Sequence, residues 1–311
     1  MNSNETTVIF LSAGRDNTLS DALAAAGFTI STLNNGTELR DAIKNAVSGG
    51  YGKIITVDPN EGFSFGDITS VSQALNADGS VLYAGTRVHE QKKNLPATIY
   101  GFLSGLNVDD AETSLYGMSA ATAKVMVNMK GDEEKFLFNM PLEARANDIS
   151  VKEVKTDVPC TTQPDFSILG RSFKLYYVFI KFSIAAMIAY LVDIISFYFL
   201  ERLFVGLESN MKILLATVIS RILCSIATYI LNRGAVFKSH NKSSGAVIRF
   251  IILSVVQLLA SWLLVLGIGS LLGGGDFTNM MVKVVVDLVI FIASFSIQRD
   301  WVFKKTDGIL K

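Results

Sequence analysis

The sequence predicts an α/β domain with a mostly parallel sheet, followed by an all-α domain of four transmembrane helices. Three observations predict it. Up to residue 168, short apolar runs alternate with amphipathic ones and with acidic or glycine turns, as strands alternating with helices do. After Phe173 four long apolar segments follow one another, each long enough for the ~30 Å hydrocarbon core of a bilayer. Lysine and arginine gather at one set of ends of these segments, the bias that orients membrane helices.

In the first domain, TTVIFL (6–11) is a short apolar strand, and SDALAAAGF (20–28) a helix closed by Gly27. FTISTL (28–33) alternates like a strand. A helix from Thr37 to Val47 is ended by two glycines, and KIITVD (53–58) is a buried strand running into the acidic turn DPNEG. A helix over Asp67–Asn76 and a strand over Ser80–Tyr83 continue the alternation. Ligands of such sheets sit beyond the carboxyl ends of the strands, which places Asp58, Asn60 and Glu61 at a candidate site. Thr156 to Arg171 reads as a polar connector. The aromatic stripe Phe173, Tyr176, Tyr177, Phe179 and Phe182, with Lys174 and Lys181, suits a helix entering from a headgroup layer.

The spans are expected at about 175–200, 212–232, 247–272 and 279–298. Half of the residues are hydrophobic and the mean hydropathy is +0.39. A soluble bundle needs a polar face on each helix, and these runs are too uniformly apolar for one. One set of ends carries Arg171, Lys174, Arg233, Lys238, Lys242, Arg249, Arg299, Lys304 and Lys305. The other loops carry Glu201, Arg202, Glu208 and Asp276. The positive-inside rule then places both termini in the cytoplasm of a multi-pass inner-membrane protein. The polar start MNSNETT has no basic or apolar leader, so the first domain is expected to stay cytosolic. Net charge is zero, so no global basic signal points to nucleic acid. Two cysteines and two histidines far apart argue against a disulfide framework or a zinc site.

One pattern occurs twice, each time at the end of an apolar segment: YILNRGAVFK (229–238) and FSIQRDWVFK (295–304). The copies align at an offset of 66 residues (299 − 233), pairing Asn232 with Gln298 and Arg233 with Arg299. The same offset places Arg221 over Asp287. A repeated helix end and a repeated intramembrane charge point to a duplicated two-helix unit. The other reading is two ordinary membrane exits. Asp193, Arg221, Lys283 and Asp287 are charges inside apolar spans. Asp193, Arg221 and Asp287 lie at similar depth, about 12–13 Å from the outer end at 1.5 Å per residue. Such charges face one another or a polar cavity, so the four are expected either to lock the bundle as one network or to handle a phosphate. Arg233 and Arg299 sit where cations suit a helix end. With Asn232 and Gln298 they could grip a lipid phosphate, or anchor the helices at the interface.

The four spans, the two amide-arginine-x-x-valine-phenylalanine endings and Asp193 resemble the GtrA family over residues 169–311. That resemblance implies a role in cell-envelope glycosylation, in which a polyprenyl-phosphate-linked sugar is moved or presented across the membrane.

The first domain resembles a degenerate family 2 glycosyltransferase of the dolichol-phosphate-mannose-synthase type. The family's Asp-x-Asp metal and diphosphate turn corresponds to Asp58-Pro59-Asn60, its Gly-Ser-Arg to Gly85-Thr86-Arg87, and its acceptor segment to residues 110–117. The segment 130–154 follows the family's next helix and strand. The departures are Asn60 for the second metal aspartate, Ser114 for a glycine, Tyr116 for an arginine and Asn139 for a glutamate. LSAGRDN (11–17) stands in place of the nucleotide loop. The resemblance implies a GT-A-like fold with Asp58 a vestigial catalytic position.

The leading expectation is therefore a protein that presents or translocates a polyprenyl-phosphate sugar, with a non-catalytic glycosyltransferase-like domain. Its alternatives are an active nucleotide-sugar-dependent transferase, with Mg or Mn held by Asp58 and Asn60, and an assembly subunit of a separate glycosyltransferase. On the leading reading no cofactor is expected. The partners expected are the membrane lipid, a separate glycosyltransferase, further copies of the chain and no nucleic acid.

Overall fold

The computed structural model describes residues 5–13, 17–33, 38–75, 79–89, 95–106, 108–110, 112–129, 135–160, 166–237, 244–273 and 276–303. The chain divides into two compact units, Met1–Leu175 and Tyr176–Lys311.

The first unit is a mixed six-stranded sheet between helices. Its strands are β1 Thr6–Phe10, β2 Thr29–Thr32, β3 Lys53–Val57, β4 Val81–His89, β5 Tyr116–Ser119 and β6 Ser150–Cys160, in the order β2-β1-β3-β5-β4-β6. β1 pairs parallel with β2 and β3, and β4 parallel with β6. β5 alone runs antiparallel, between β3 and β4.

The helices are α1 Thr18–Ala25, α2 Leu39–Ser48, α3 Phe65–Ala74, α4 Leu95–Ser104, α5 Ala120–Val127, α6 Phe136–Ala146 and the short α7 Ser167–Gly170. Strand alternation makes two cores. Ile9, Ile54, Leu82, Tyr116 and Met118 face Ile43 of α2, Met126 of α5 and Phe136 of α6. Val8, Ile55, Val57 and Leu115 face Leu23 of α1 and Ile68 and Val71 of α3. α3 starts at a capping box in which Ser64 and Asp67 satisfy each other's backbone donors.

Gly27 has φ +86°, as the predicted helix stop requires. The expected connector is corrected in its first part: Thr156–Cys160 belongs to β6 and continues the ladder with β4 as far as His89↔Cys160. A parallel partner strand overrides the polar reading there. β5 has only four residues, two of them Gly117 and Ser119, and carries no alternation long enough to read.

The second unit is four long apolar helices: α8 Lys174–Leu203, which begins at the end of the first unit, α9 Ser209–Leu231, α10 Ser244–Leu271 and α11 Asp276–Ile297. All four are long and apolar enough to cross a membrane. The stripe expected to be an interfacial belt is divided. Phe173 and Tyr177 are exposed, whereas Phe182 is buried. Phe179 and Phe182 pack edge-on or tilted against Phe295 at 5.1 and 5.4 Å. α8 thus spends part of the stripe on its own bundle, where aromatic pairs add to apolar burial.

Candidate functional site

In the first unit, the residues singled out in three separate sequence segments meet at the carboxyl ends of β3 and β4. Asp58 follows β3 and caps the 3-10 turn Pro59–Glu61: its Oδ1 accepts from the Asn60 amide at 2.9 Å and from the Ser12 hydroxyl at 2.7 Å. Asn60 directs its Nδ2 to Ser12 Oγ at 2.7 Å and to the Ala13 carbonyl at 3.2 Å. Ser114 accepts from the Asp58 amide at 2.9 Å and donates its own amide to Glu61 Oε2 at 3.3 Å.

Gly85 explains the close approach of the second segment. A Cβ there would fall 2.4 Å from the Leu115 side chain, while its amide reaches the Leu115 carbonyl at 2.8 Å. Arg87 then forks onto Asp110, at 2.6 Å from Nε and 3.0 Å from Nη2, and lies 3.7 Å from Glu61. Thr86 Oγ1 donates to Glu153 at 2.9 Å, and Glu153 also accepts from the Asp109 amide.

Charges here are internally matched. Arg87 is held protonated more firmly than usual, first by its hydrogen bond to Asp110 and against the opposing effect of burial. Burial raises the Glu61 carboxyl above its usual 4.5, with Ser114 and Arg87 pulling the other way. Tyr116 is buried in the core and pushed well above 10.0, chiefly by desolvation. It supplies no cation to the site. Asn139 is buried, and its Oδ1 meets no hydrogen-bond partner among the described residues.

These residues fit a divalent cation poorly. Asn60 turns its amide nitrogen toward Ser12 and Ala13, Arg87 occupies both Asp110 oxygens, and among the described residues no three His, Cys, Asp or Glu side chains converge. A diphosphate gains little from Arg87, whose donors are already engaged by carboxylates.

In the second unit, the two copies of the repeated pattern meet. Each apolar helix ends in one π turn, Asn232–Val236 after α9 and Gln298–Val302 after α11. Each turn closes with a bond five residues back: Phe237 N to Asn232 O at 2.9 Å, Phe303 N to Gln298 O at 2.8 Å. Asn232 Nδ2 donates to Gln298 Oε1 at 2.8 Å in a buried pair, and Gln298 Nε2 donates to Ser294 Oγ at 2.8 Å. The aromatics exchange across the pair: Tyr229 packs on Phe303 at 5.6 Å and its counterpart Phe295 on Phe237 at 6.2 Å, while Phe237 and Phe303 stack at 5.4 Å. Arg233 lies over Tyr229 at 5.9 Å and Arg299 over Phe295 at 5.1 Å. This self-complementary exchange is what a duplicated unit produces.

The four intramembrane charges separate into two groups instead of closing one network. Asp193 on α8 meets Arg221 on α9 at 3.3 Å. Lys283 and Asp287, one turn apart on α11, meet at 2.7 Å, and Ser261 of α10 bonds both: it donates to Asp287 Oδ1 at 2.6 Å and accepts from Lys283 at 3.1 Å. Sequence depth brought Asp287 level with Asp193, but helix facing decides which charges meet. Ser261 gave no signal, because a lone serine in an apolar helix ordinarily bonds its own backbone. Charge in mid-membrane costs about 2.5–3.5 kcal/mol per residue on insertion scales, so each group has to be offset locally. Lys238, Lys242, Lys304 and Lys305, counted for orientation, lie outside the described residues.

No curated protein matches the chain. Residues 181–303 match the model of the family described as GtrA/DPMS, transmembrane domain. That stretch contains all four spans except the start of α8, and it includes the amide pair, both arginines and all four intramembrane charges. The protein is an N-terminal α/β domain with a six-stranded mixed sheet, joined to a GtrA-family transmembrane domain.

Proposed function

We propose that this protein presents or translocates a polyprenyl-phosphate-linked sugar in cell-envelope glycan synthesis. Its α/β domain would serve as a docking or regulatory module without transferase activity. The observation that carries the reading is the paired helix ends within the matched family domain: two π turns, joined by a buried amide pair and each flanked by an arginine over an aromatic ring. π turns recur at functional sites, and a lipid phosphate would meet two guanidinium groups at the paired helix ends, with Arg299 exchanging its fork on Asp300, at 2.8 and 2.7 Å, for the phosphate. The α/β domain supports its half of the reading through its matched charges. The turn that would hold a metal and diphosphate is tied to Ser12 and Ser114, and Arg87 is tied to Asp110.

Positive-inside bias supports cytoplasmic termini. The test is complementation of a deletion strain, read as envelope glycosylation. Wild type and Asp58→Ala should restore it, and the double variant Arg233→Gln/Arg299→Gln should not. Failure of Asp58→Ala, beside normal expression, would favour the transferase reading instead.

A further inference from the structure

The two intramembrane charge groups are built differently. Lys283, Asp287 and Ser261 form a closed triad in which both Asp287 oxygens accept hydrogen bonds. The Asp193–Arg221 pair is open. Asp193 is buried, one oxygen meets Arg221, and Oδ1 has no hydrogen-bond partner among the described residues. Arg221 has 71% of its side chain exposed, between Val218 and Ile222, which are exposed as well. A single ion pair at 3.3 Å leaves most of a five-donor fork uncommitted in apolar surroundings. An unsatisfied anion-binding donor thus stands beside an unsatisfied buried acceptor.

One ligand completes both. A phosphate would take the guanidinium bidentately, and a hydroxyl beside it would donate to Asp193 Oδ1. Sugar phosphates carry both groups across one ester linkage. We infer that Asp193 and Arg221 form a mid-membrane binding site for the headgroup of a phosphate-linked sugar: Arg221 holds the phosphate and Asp193 accepts from a sugar hydroxyl. The inference rests on the proposed handling of lipid-linked sugars and adds a second site, distinct from the paired helix ends. Asp193 lies about 15 Å from the carboxyl end of α8 at Leu203, so the site is a station within the bilayer and not at its surface. The Lys283–Asp287–Ser261 triad, 56% and 48% exposed at Lys283 and Asp287, has its groups committed to one another and serves as a lock between α10 and α11.

The test uses the full chain in phosphatidylcholine nanodiscs, with four probes: undecaprenyl phosphate, undecaprenyl phosphoryl glucose, undecaprenol and phosphatidic acid. Wild type should bind the two undecaprenyl phosphates and prefer them to the alcohol. Arg221→Gln should weaken phosphate binding roughly 10-fold, the worth of a charge-assisted pair, without changing undecaprenol binding. Arg221→Lys should keep the fold and part of the preference. Asp193→Asn should remove only the added affinity for the glucose-bearing lipid. Lys283→Gln/Asp287→Asn should leave all four affinities unchanged.

Several results would overturn the inference. Wild-type phosphate affinity retained in Arg221→Gln, beside weakened binding in Arg233→Gln/Arg299→Gln, would sink this site and leave the proposed function standing. No wild-type binding of either undecaprenyl phosphate would sink both. Phosphatidic acid bound as tightly as undecaprenyl phosphate would reduce the site to a general lipid contact. A change of oligomeric mass in Arg221→Gln would assign the open guanidinium to a second copy of the chain. Equal losses in the triad variant would erase the distinction between lock and site.

Discussion

At Arg87 and Asp110, removal of one partner shows what the pair is worth. Asp110 is 3% exposed in its side chain, so Arg87→Met leaves a buried carboxylate without its counter-ion, a loss of about 3–5 kcal/mol for such pairs. Arg87→Met/Asp110→Leu should recover much of it, read as the melting temperature of the purified chain.

Glu61 gives a pH dependence with a definite sign. Its folded pKa lies above the usual 4.5 because of burial. Between those two values the native state therefore binds more protons than the unfolded one, and stability falls as pH rises through that window. Glu61→Gln should flatten melting temperature against pH just above 4.5. A wild-type curve that rises there would contradict the assignment of burial as the dominant cause.

The sequence by itself singled out only the acidic turn after an apolar strand and took Gly85-Thr86-Arg87 and the segment from Asp110 from the family resemblance; in the fold the three segments meet. The sequence did not show that Arg87 is consumed by Asp110, because two residues 23 positions apart reveal no pairing without the antiparallel β5 that brings their loops together.

Among the elements, the paired helix ends of α9 and α11 were legible from a short repeated pattern. Their geometry was not. Nothing in Asn232 or Gln298 distinguishes a π turn from an ordinary helix end, since an extra residue per turn depends on packing between helices. Asn232→Ala should cost about 1–2 kcal/mol, the upper part of the range for interhelical polar contacts in membranes, because Gln298 Oε1 loses its donor inside the bundle. Asn232→Leu/Gln298→Leu should be closer to wild type in detergent melting than either single leucine variant. Additive losses would mean that the two amides act separately and that their hydrogen bond contributes nothing to the bundle. β5 was hidden because its four residues are too few to show an alternation, whereas the end of β6 alternates buried and exposed residues from Thr156 to Cys160 but carries Asp157 and Pro159, which read as a connector.

For the whole molecule, the repeated helix ends suggest two two-helix units in succession, α8 with α9 and α10 with α11. With each helix crossing once, the second unit repeats the direction of the first, as parallel repeats about an axis along the membrane normal do. On the proposed orientation, which the charge bias supports, the α9–α10 loop lies inside and the α10–α11 loop outside. A single cysteine at Ser243 should be labelled only in permeabilised cells, and one at Thr278 in intact cells. Labelling at Ser243 from outside would reverse the orientation.

On the proposed function the chain handles a lipid-linked sugar already made, without making it. The direct measurement offers the purified full chain two substrates side by side: preformed undecaprenyl phosphoryl glucose, and labelled nucleotide sugars with undecaprenyl phosphate and Mg or Mn. Retention of the lipid-linked sugar, lost in Arg233→Gln/Arg299→Gln, with no transfer from any nucleotide sugar, is the predicted result. Transfer that disappears in Asp58→Ala, or a protein that retains no lipid-linked sugar, would contradict it.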